Sequence, residues 1–345
     1  MYALNMMAHF RLLAEAAEKI GVRAELEFES LRVEVSGRGR YFEFEPEFLD
    51  VKDGHTELGR VLEAQTVAFT GWRHVARRNW DLALDKRAFK EFCTRHGLRT
   101  PRAYATAAET AANVLVKQLR PATEPGEQGV IRGPFAPKSI GAENFQPNAG
   151  WFLEEFILGD IAMAHYCEGE LFSIEARKKP RVTGDGYSTV KELIECAKQP
   201  VGEVDWKLAE NLLRLQGGNL DSVLPAGREM LVDVRFWSPL QPFTTADRNV
   251  LQGLQGSPIH QQLADAGPIF WGGIPESIRA NAYFQVYAVV DAQQNVWFID
   301  MHTDRYVDPH SYDPTLRRLF GVPSQSAALP SDVATAATMV PLVKH

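Results

Sequence analysis

Cysteine is scarce: Cys93, Cys167 and Cys196 are the three thiols in 345 residues. That is too few, at spacings too wide, for a zinc module or a disulfide framework, and it is what reduced thiols in a cytoplasmic protein predict. Cys93 falls on a helix face beside Phe89 and Phe92, where a structural thiol belongs. Positive charge is not in surplus either. There are 37 basic and 44 acidic residues and a formal charge of -7. This argues against nucleic acid or an anionic membrane as the main partner, while leaving room for a local patch that takes a phosphorylated small molecule. Long apolar runs are also missing. Met1 to Ile20 mixes Arg11, Glu15, Glu18 and Lys19 among its apolar residues, so no signal-peptide core is expected, nor a span elsewhere. What remains is a globular composition, 45% hydrophobic and 23% charged. The length allows two or three lobes at ~150 residues per domain.

Periodicity organises the chain. Phe10, Leu13, Ala17 and Ile20 recur at helical spacing and Gly21 supplies a stop. Leu31, Val33 and Val35 then alternate with polar residues, Gly37 and Gly39 turn the chain, and Tyr41–Phe44 alternates again, which predicts a hairpin. A helix follows over Asp85–His96, ended by Gly97, with a break at Thr100-Pro101. Strands are expected at Asn113–Leu119, Gly129–Arg132, Trp151–Ile157, Ile161–Cys167 and Leu171–Ala176. The stretch from Arg120 to Gly150 is broken by Pro and Gly. After Gly184-Asp185-Gly186, Thr189 and Glu192 have the spacing of a capping box. Further helices are predicted at Asp205–Leu215 and Pro258–Asp265, the latter with Ser257 as N-cap. Strands at Met230–Phe236, Tyr283–Val290 and Val296–Met301 complete the pattern, without internal repeat. Strands and helices mix without regular alternation, so the expected class is α+β, or α/β in several lobes.

Four groups of residues carry candidate chemistry. Lys117 lies between Leu115, Val116 and Leu119; its ammonium either meets an anion such as a nucleotide phosphate or points to the solvent face of a half-buried strand. Lys86 opens the helix DKRAFKEF. Glu154 and Glu155 sit among large apolar residues in FLEEFILGD, as in a strand at a cleft edge or an ordinary amphipathic edge strand. Arg177, Lys178, Lys179 and Arg181 precede a tight turn and a helix start, which suits an anion or simply makes a solvated basic loop. Asp300, His302, Asp304, Asp308, His310 and Ser311 follow an apolar strand. Asp300 and His302 share a strand face, an arrangement open to a cation or to a plain polar loop. Histidine there suits transition metals better than magnesium.

In order along the chain these pieces resemble the ATP-grasp superfamily. The likeness is greatest to the ligase core of cyanophycin synthetase and bifunctional glutathione synthetase, and D-alanine–D-alanine ligase is more distant. PRVTGDGYSTVKELI (Pro180 to Ile194) is similar to the signature P-x-V-x-GDG-x-[ST]-T-[IV]-x-ELI. NWDLALDKRAFKEFCTRHGLRTP (Asn79 to Pro101), FLEEFILGD and QGGNLDSVLPAGREMLVDVR (Gln216 to Arg235) resemble other segments of that core. The resemblance covers roughly residues 75 to 311. It implies an α+β ATP-grasp fold with ATP clamped between two sheet-containing lobes. Residues 1–83 would form an N-terminal lobe and 84–200 the central region with a lid at about 106–157. Residues 201–320 would form the C-terminal lobe, and 321–345 a loosely ordered tail.

The resemblance also implies roles. Lys86 and Lys117 match phosphate-binding lysines; Glu154, Glu155, Phe156 and Ile157 match the adenine hinge, and Asp160 lies near the ribose-binding position, which is strictly Ile161. Arg177 and Arg235 match catalytic basic residues, Asp300 and His302 take the places of magnesium-binding Glu and Asn, and His310 and Ser311 sit where the acceptor substrate is held. Three positions depart from the pattern. Tyr287 stands where another metal-binding carboxylate is usual, with Gln285 the nearest polar residue; the ribose acid is shifted; and the loop after Lys117 reads GEQGVIRG. The implied function is an ATP- and magnesium-dependent carboxylate–amine ligase acting through an acyl phosphate on an amino acid or small peptide, with a homodimer as the family habit. A silent nucleotide-binding protein of the same fold is the alternative. A metal-dependent hydrolase on Asp300, His302, Asp304 and His310 is the third. The basic cluster Arg73, His74, Arg77 and Arg78 is either a face for an anionic substrate or a solvated helix face.

Overall fold

The computed structural model describes residues 2–52, 55–74, 80–118, 131–141, 144–146, 150–198, 203–235, 238–240, 249–280, 282–303, 307 and 309–323. The first helical pattern becomes α1 (Tyr2–Lys19), which buries Leu13, Ala16 and Ala17 and ends at Gly21, whose φ of 71° is the left-handed conformation a helix stop requires. Five antiparallel strands follow: β1 (Arg23–Leu26), β2 (Val33–Gly37), β3 (Arg40–Lys52), β4 (His55–Gly59) and β5 (Thr66–His74), ordered β1-β2-β3-β4 with β5 also on β3. The expected hairpin is β2–β3, with Val33 opposite Phe44 and Val35 opposite Phe42. Strands β4 and β5 were not legible as periodic segments.

Helices α2 (Asp81–Leu84) and α3 (Lys86–Arg95) lead to a second sheet built from β6 (Ala103–Tyr104), β7 (Val114–Gln118), β8 (Arg132–Phe135) and β9 (Trp151–Glu155). Its order is β6-β9-β7-β8. Val114, Val116, Leu153 and Tyr104 fill its small core. The strand expected at Gly129–Arg132 begins instead at Arg132; residues 119–130, which include the first part of the Pro/Gly-broken stretch, lie outside the described residues.

The third sheet collects β10 (Asp160–Cys167), β11 (Glu170–Arg177), β14 (Tyr283–Val290) and β15 (Val296–His302) in the order β11-β10-β14-β15. Between them in sequence lie β12 (Arg181–Thr183), α4 (Val190–Ala197), α5 (Trp206–Leu215), β13 (Glu229–Leu231), α6 (Leu251–Leu254), α7 (Pro258–Gly272) and α8 (Glu276–Arg279). The capping box forms as predicted, Thr189 accepting from the Glu192 N–H and Glu192 from the Thr189 N–H. The strand expected at Met230–Phe236 shortens to β13, which pairs with β12 in a two-stranded ribbon. Helix α7 runs past the expected end through Pro268, because Ala266 before it and Phe270 after it are core residues whose burial offsets the lost backbone bond.

Alternation sorts the third sheet into two faces. Ala162, Ala164, Tyr166, Phe284, Val286, Ala288, Phe298 and Met301 pack with Phe89 and Phe92 of α3 and with Leu263 and Phe270 of α7. Met163, His165, Tyr287 and Asp300 lie on the other face. That sorting depends on a β-bulge. Tyr287 faces Asp300 while Ala288 faces Phe298, so Ile299 is an extra residue. Without it Phe298 and Asp300, two apart, would share a face.

The last helix, α9 (Tyr312–Leu319), returns to the first layer. Tyr312, Leu316 and Leu319 join Leu13, Phe69 and Trp72 in one core, and Val307 pairs with Trp72. Val307 and the α9 residues Tyr312, Leu316 and Leu319, expected with the C-terminal lobe, therefore pack with the apolar faces of α1 and β5. Of the expected tail, 324–345 lies outside the described residues.

Candidate functional site

Asp85 starts α3 by accepting from the N–H groups of Arg87 (2.8 Å) and Ala88 (3.1 Å). With the helix phase fixed, Phe89, Phe92 and Cys93 enter the core, and Lys86 and Lys90, one turn apart, emerge together on a neighbouring face. Each finds a carboxylate on a different sheet. Lys86 Nζ is 3.0 Å from Asp300 Oδ2 on the edge strand β15, and Lys90 Nζ is 2.6 Å from Glu154 Oε2 on β9.

Glu154 also binds Lys117, whose ammonium meets Oε1. The pairing register explains this contact. Leu115 faces Glu154 and Lys117 faces Phe152, so Lys117 and Glu154 are diagonal neighbours on one face of the sheet. Lys117 therefore does not point to solvent: its side chain is 14% exposed and that of Glu154 is 2%. Burial pushes the Glu154 carboxyl up, but Lys117 and Lys90 outweigh it and hold the group below its ordinary range. Burial is also the largest influence on Lys90 and lowers its ammonium against the pull of Glu154.

A third lysine belongs to the same neighbourhood. Lys179 Nζ lies 5.8 Å from the centre of the Phe156 ring, and burial first, then the nearby charge of Lys117, brings it from 10.5 down to about 7. Its backbone N–H donates to Asp160 Oδ1 (3.0 Å), which also takes Arg181 Nη1 at 2.8 Å. Gly159 lets the hinge pass close to β14, since a Cβ there would stand 2.2 Å from the Val290 carbonyl oxygen. Among the described residues, then, Lys86, Lys90, Lys117, Lys179 and Arg181 face Glu154, Asp160 and Asp300. Cations outnumber carboxylates by two in a region walled by two sheets and an aromatic ring. Such a surplus suits a polyanion, and planar or point-like cations at several angles suit phosphate oxygens.

The remaining expected residues fall elsewhere. The Glu155 N–H donates to the Arg102 carbonyl (2.8 Å) and the Phe156 N–H to that of Asn113 (2.7 Å), so a base contact from the hinge backbone would fall to Ile157 and its neighbour. Arg177 is buried on the polar face of β11, opposite Ile161. Arg235 forks onto Asp233 (2.7 Å) and donates to the Glu203 carbonyl. Ser311 is fully buried at the start of α9. Asp304, Asp308 and the side chain of His310 lie outside the described residues, as do Arg77 and Arg78; Arg73 pairs with Glu45 at 2.7 Å within the first sheet. The glycine turn at 184–186 does not offer its N–H groups to an anion. Those of Gly186, Tyr187, Ser188, Thr189, Val190 and Lys191 are taken by Leu224, Asp185, Glu192, Ser222 and Leu220. Lys90 is the cluster member that sequence reasoning passed over, and its signal was the i, i+4 spacing in DKRAFK; Lys179 and Arg181 belong to the basic run already named before the turn.

Magnesium was the implied metal at Asp300 and His302, and the donor set does not fit it. Magnesium takes octahedral oxygen ligands at about 2.0–2.1 Å, commonly one or two free carboxylates together with waters and substrate phosphates. Among the described residues one carboxylate, that of Asp300, is present here. Lys86 and His302 Nε2 (3.4 Å) already hold it and, against the upward push of burial, draw it far below the carboxylate range. Tyr287, across the ladder from Asp300, turns its ring edge to His302 (centroids 4.9 Å apart). The Gln285 amide nitrogen is turned instead to Tyr283 (3.2 Å) and to His165 (3.3 Å), in a buried group completed by Glu175, 3.2 Å from His165 Nε2. Among the described residues no three His, Cys, Asp or Glu side chains are grouped to hold a metal ion, and no helix is long and apolar enough to cross a membrane.

No protein-family model matches the sequence, and no curated protein matches it. Solved structures do. A bifunctional glutathione synthetase from Pasteurella multocida is 12% identical, with a TM-score of 0.40, over 90% of this chain and 44% of its own. A D-alanine–D-alanine ligase from Bacillus anthracis is 12% identical, with a TM-score of 0.37, over 70% of this chain and 67% of its own. The ATP-grasp ligase PsnB bound to its minimal precursor is 10% identical, with a TM-score of 0.33, over 69% and 60%. This chain thus spans less than half the length of the glutathione synthetase. The first two are proteins that the order of its motifs resembles.

Proposed function

We propose that the chain binds ATP between the second and third sheets and uses it to join a carboxylate to an amine. The observation that carries this reading is the convergence of Lys86, Lys90 and Lys117 from two elements onto Glu154 and Asp300 of two different sheets, with Lys179 beside Phe156 at the hinge. The motif order from Asn79 to Arg235 supports it independently. In the reaction, a substrate carboxylate oxygen attacks the γ-phosphorus and the bond to ADP breaks. The amine then attacks the acyl phosphate, releasing phosphate and a proton. The protein's share is to position the reactants and neutralise charge through its lysines. The partners are small molecules, a carboxylate and an amine of amino-acid or peptide type. A second reading, nucleotide binding without turnover, is favoured by Tyr287 and the closed Lys86–Asp300 pair.

The experiment is a thermal-shift titration of the full chain with ATP, ADP and GTP, followed by a screen of amino acids and short peptides for ADP release. ATP is expected to raise the melting temperature, and Lys117→Ala to lose the shift and about a hundredfold or more in turnover. A Lys117→Ala variant with full turnover would sink the assignment. Binding without ADP release across the screen would leave the second reading.

A further inference from the structure

Among the described residues the Asp300 centre has one carboxylate, one imidazole, one phenol and one ammonium close by. His302 and Tyr287 are poor partners for magnesium, and the remaining donor is engaged. Lys86 Nζ sits 3.0 Å from Asp300 Oδ2, and the two side chains are 18% and 14% exposed. Among the described residues a dication arriving here would meet the charge of Asp300 alone, already balanced by an ammonium and next to His302. It would have to displace Lys86 while gaining ligands of the wrong kind. Lys86 is itself anchored, because Lys90 one turn later on α3 is tied to Glu154 at 2.6 Å and to the Pro101 carbonyl at 3.1 Å.

We infer that Lys86 is the resident cation of this centre, and that the site takes a nucleoside di- or triphosphate with no divalent metal between its phosphates and the protein. The inference rests on the nucleotide reading above. A metal-free polyphosphate carries more negative charge than its metal complex and needs more cations from the protein. The cluster supplies that excess: Lys90, Lys117, Lys179 and Arg181 stand with Lys86 against three carboxylates. Asp300 then acts as the holder of Lys86 and a competitor of the phosphates. This gives a substitution there the opposite sign from the one a metal ligand would show.

Binding of ATP and ADP to the full chain, followed by calorimetry and thermal shift, is compared in magnesium and in EDTA. The wild-type chain is expected to bind with dissociation constants that agree within about twofold in the two conditions. Asp300→Asn keeps or tightens binding, because it removes the competing charge. Lys86→Met weakens it by about tenfold or more in both conditions, having lost a charge-assisted contact. Wild-type binding that appears only with magnesium overturns the inference while leaving the nucleotide reading in place. So does loss of binding in an Asp300→Asn chain whose unliganded melting is unchanged. Absence of nucleotide binding under either condition overturns both. The wild-type comparison needs no variant, so misfolding of either substitution does not blunt the test.

Discussion

Lys179 is 5% exposed, and burial and Lys117 bring its ammonium to about 7 from 10.5. The folded chain therefore holds this proton less tightly than the unfolded one. Between about pH 7 and 10.5 the unfolded state binds more protons, so stability rises with pH across that window. The penalty is fully present below the lower value. At ~1.4 kcal/mol per unit it amounts to a few kcal/mol as an upper bound. Lys179→Met is expected to melt higher than wild type, and the gap should be wider at about pH 6 than at about pH 9. Denaturation curves of both chains across that range check this; a gap independent of pH would remove Lys179 from the cluster. An anion bound nearby would restore the proton, so nucleotide binding in this window should be accompanied by proton uptake. Glu154 makes the complementary point at this scale. Two lysines share one buried carboxylate, and removing that carboxylate would leave both ammonium groups without a counter-charge.

At the scale of elements, Gly159 separates the second sheet from the third, and its missing side chain is required by proximity. A Cβ would lie 2.2 Å from the Val290 carbonyl oxygen and 2.8 Å from Val289 Cγ1. Gly159→Ala must push β10 away from β14 and is expected to cost about 1–3 kcal/mol, as overpacking does, read as a lower denaturation midpoint. The same strands show what was legible. β10, β14 and β15 were expected within a residue or so because their apolar alternation is strong, and the capping box of α4 was expected from Thr189 and Glu192. β4 and β5 were not. Their pattern is interrupted by charged residues such as Glu57 and Arg73, and their strand state comes from pairing with the long β3. The basic turn before α4 invited an anion on sequence grounds, yet its N–H groups are consumed within the turn and by the 220–224 segment.

Across the whole molecule the chain closes on itself: α9 fills a gap over α1 and β5, with Leu316 fully buried. Leu316→Ala is expected to cost about 2–5 kcal/mol. Hydrogen exchange in α1 and β5, near the other end of the sequence, should lose protection before the third sheet does. Uniform loss would contradict the shared core. By itself the sequence determined the mixed class, the starts of α3, α4, α5 and α7, and the identity of the reactive side chains. Those follow from periodicity, capping residues and turn chemistry, which act over a few neighbours. It also marked Lys86, Lys117, Glu154 and Asp300 as candidates, though it left Lys117 free to face solvent. Only the tertiary structure decided which carboxylate each lysine meets. Lys117 reaches Glu154 because β7 and β9 pair in one register, and Lys86 reaches Asp300 because a bulge at Ile299 turns that side chain away from the core. Register and bulge are set by contacts between segments far apart in the chain, and a local pattern carries no record of them.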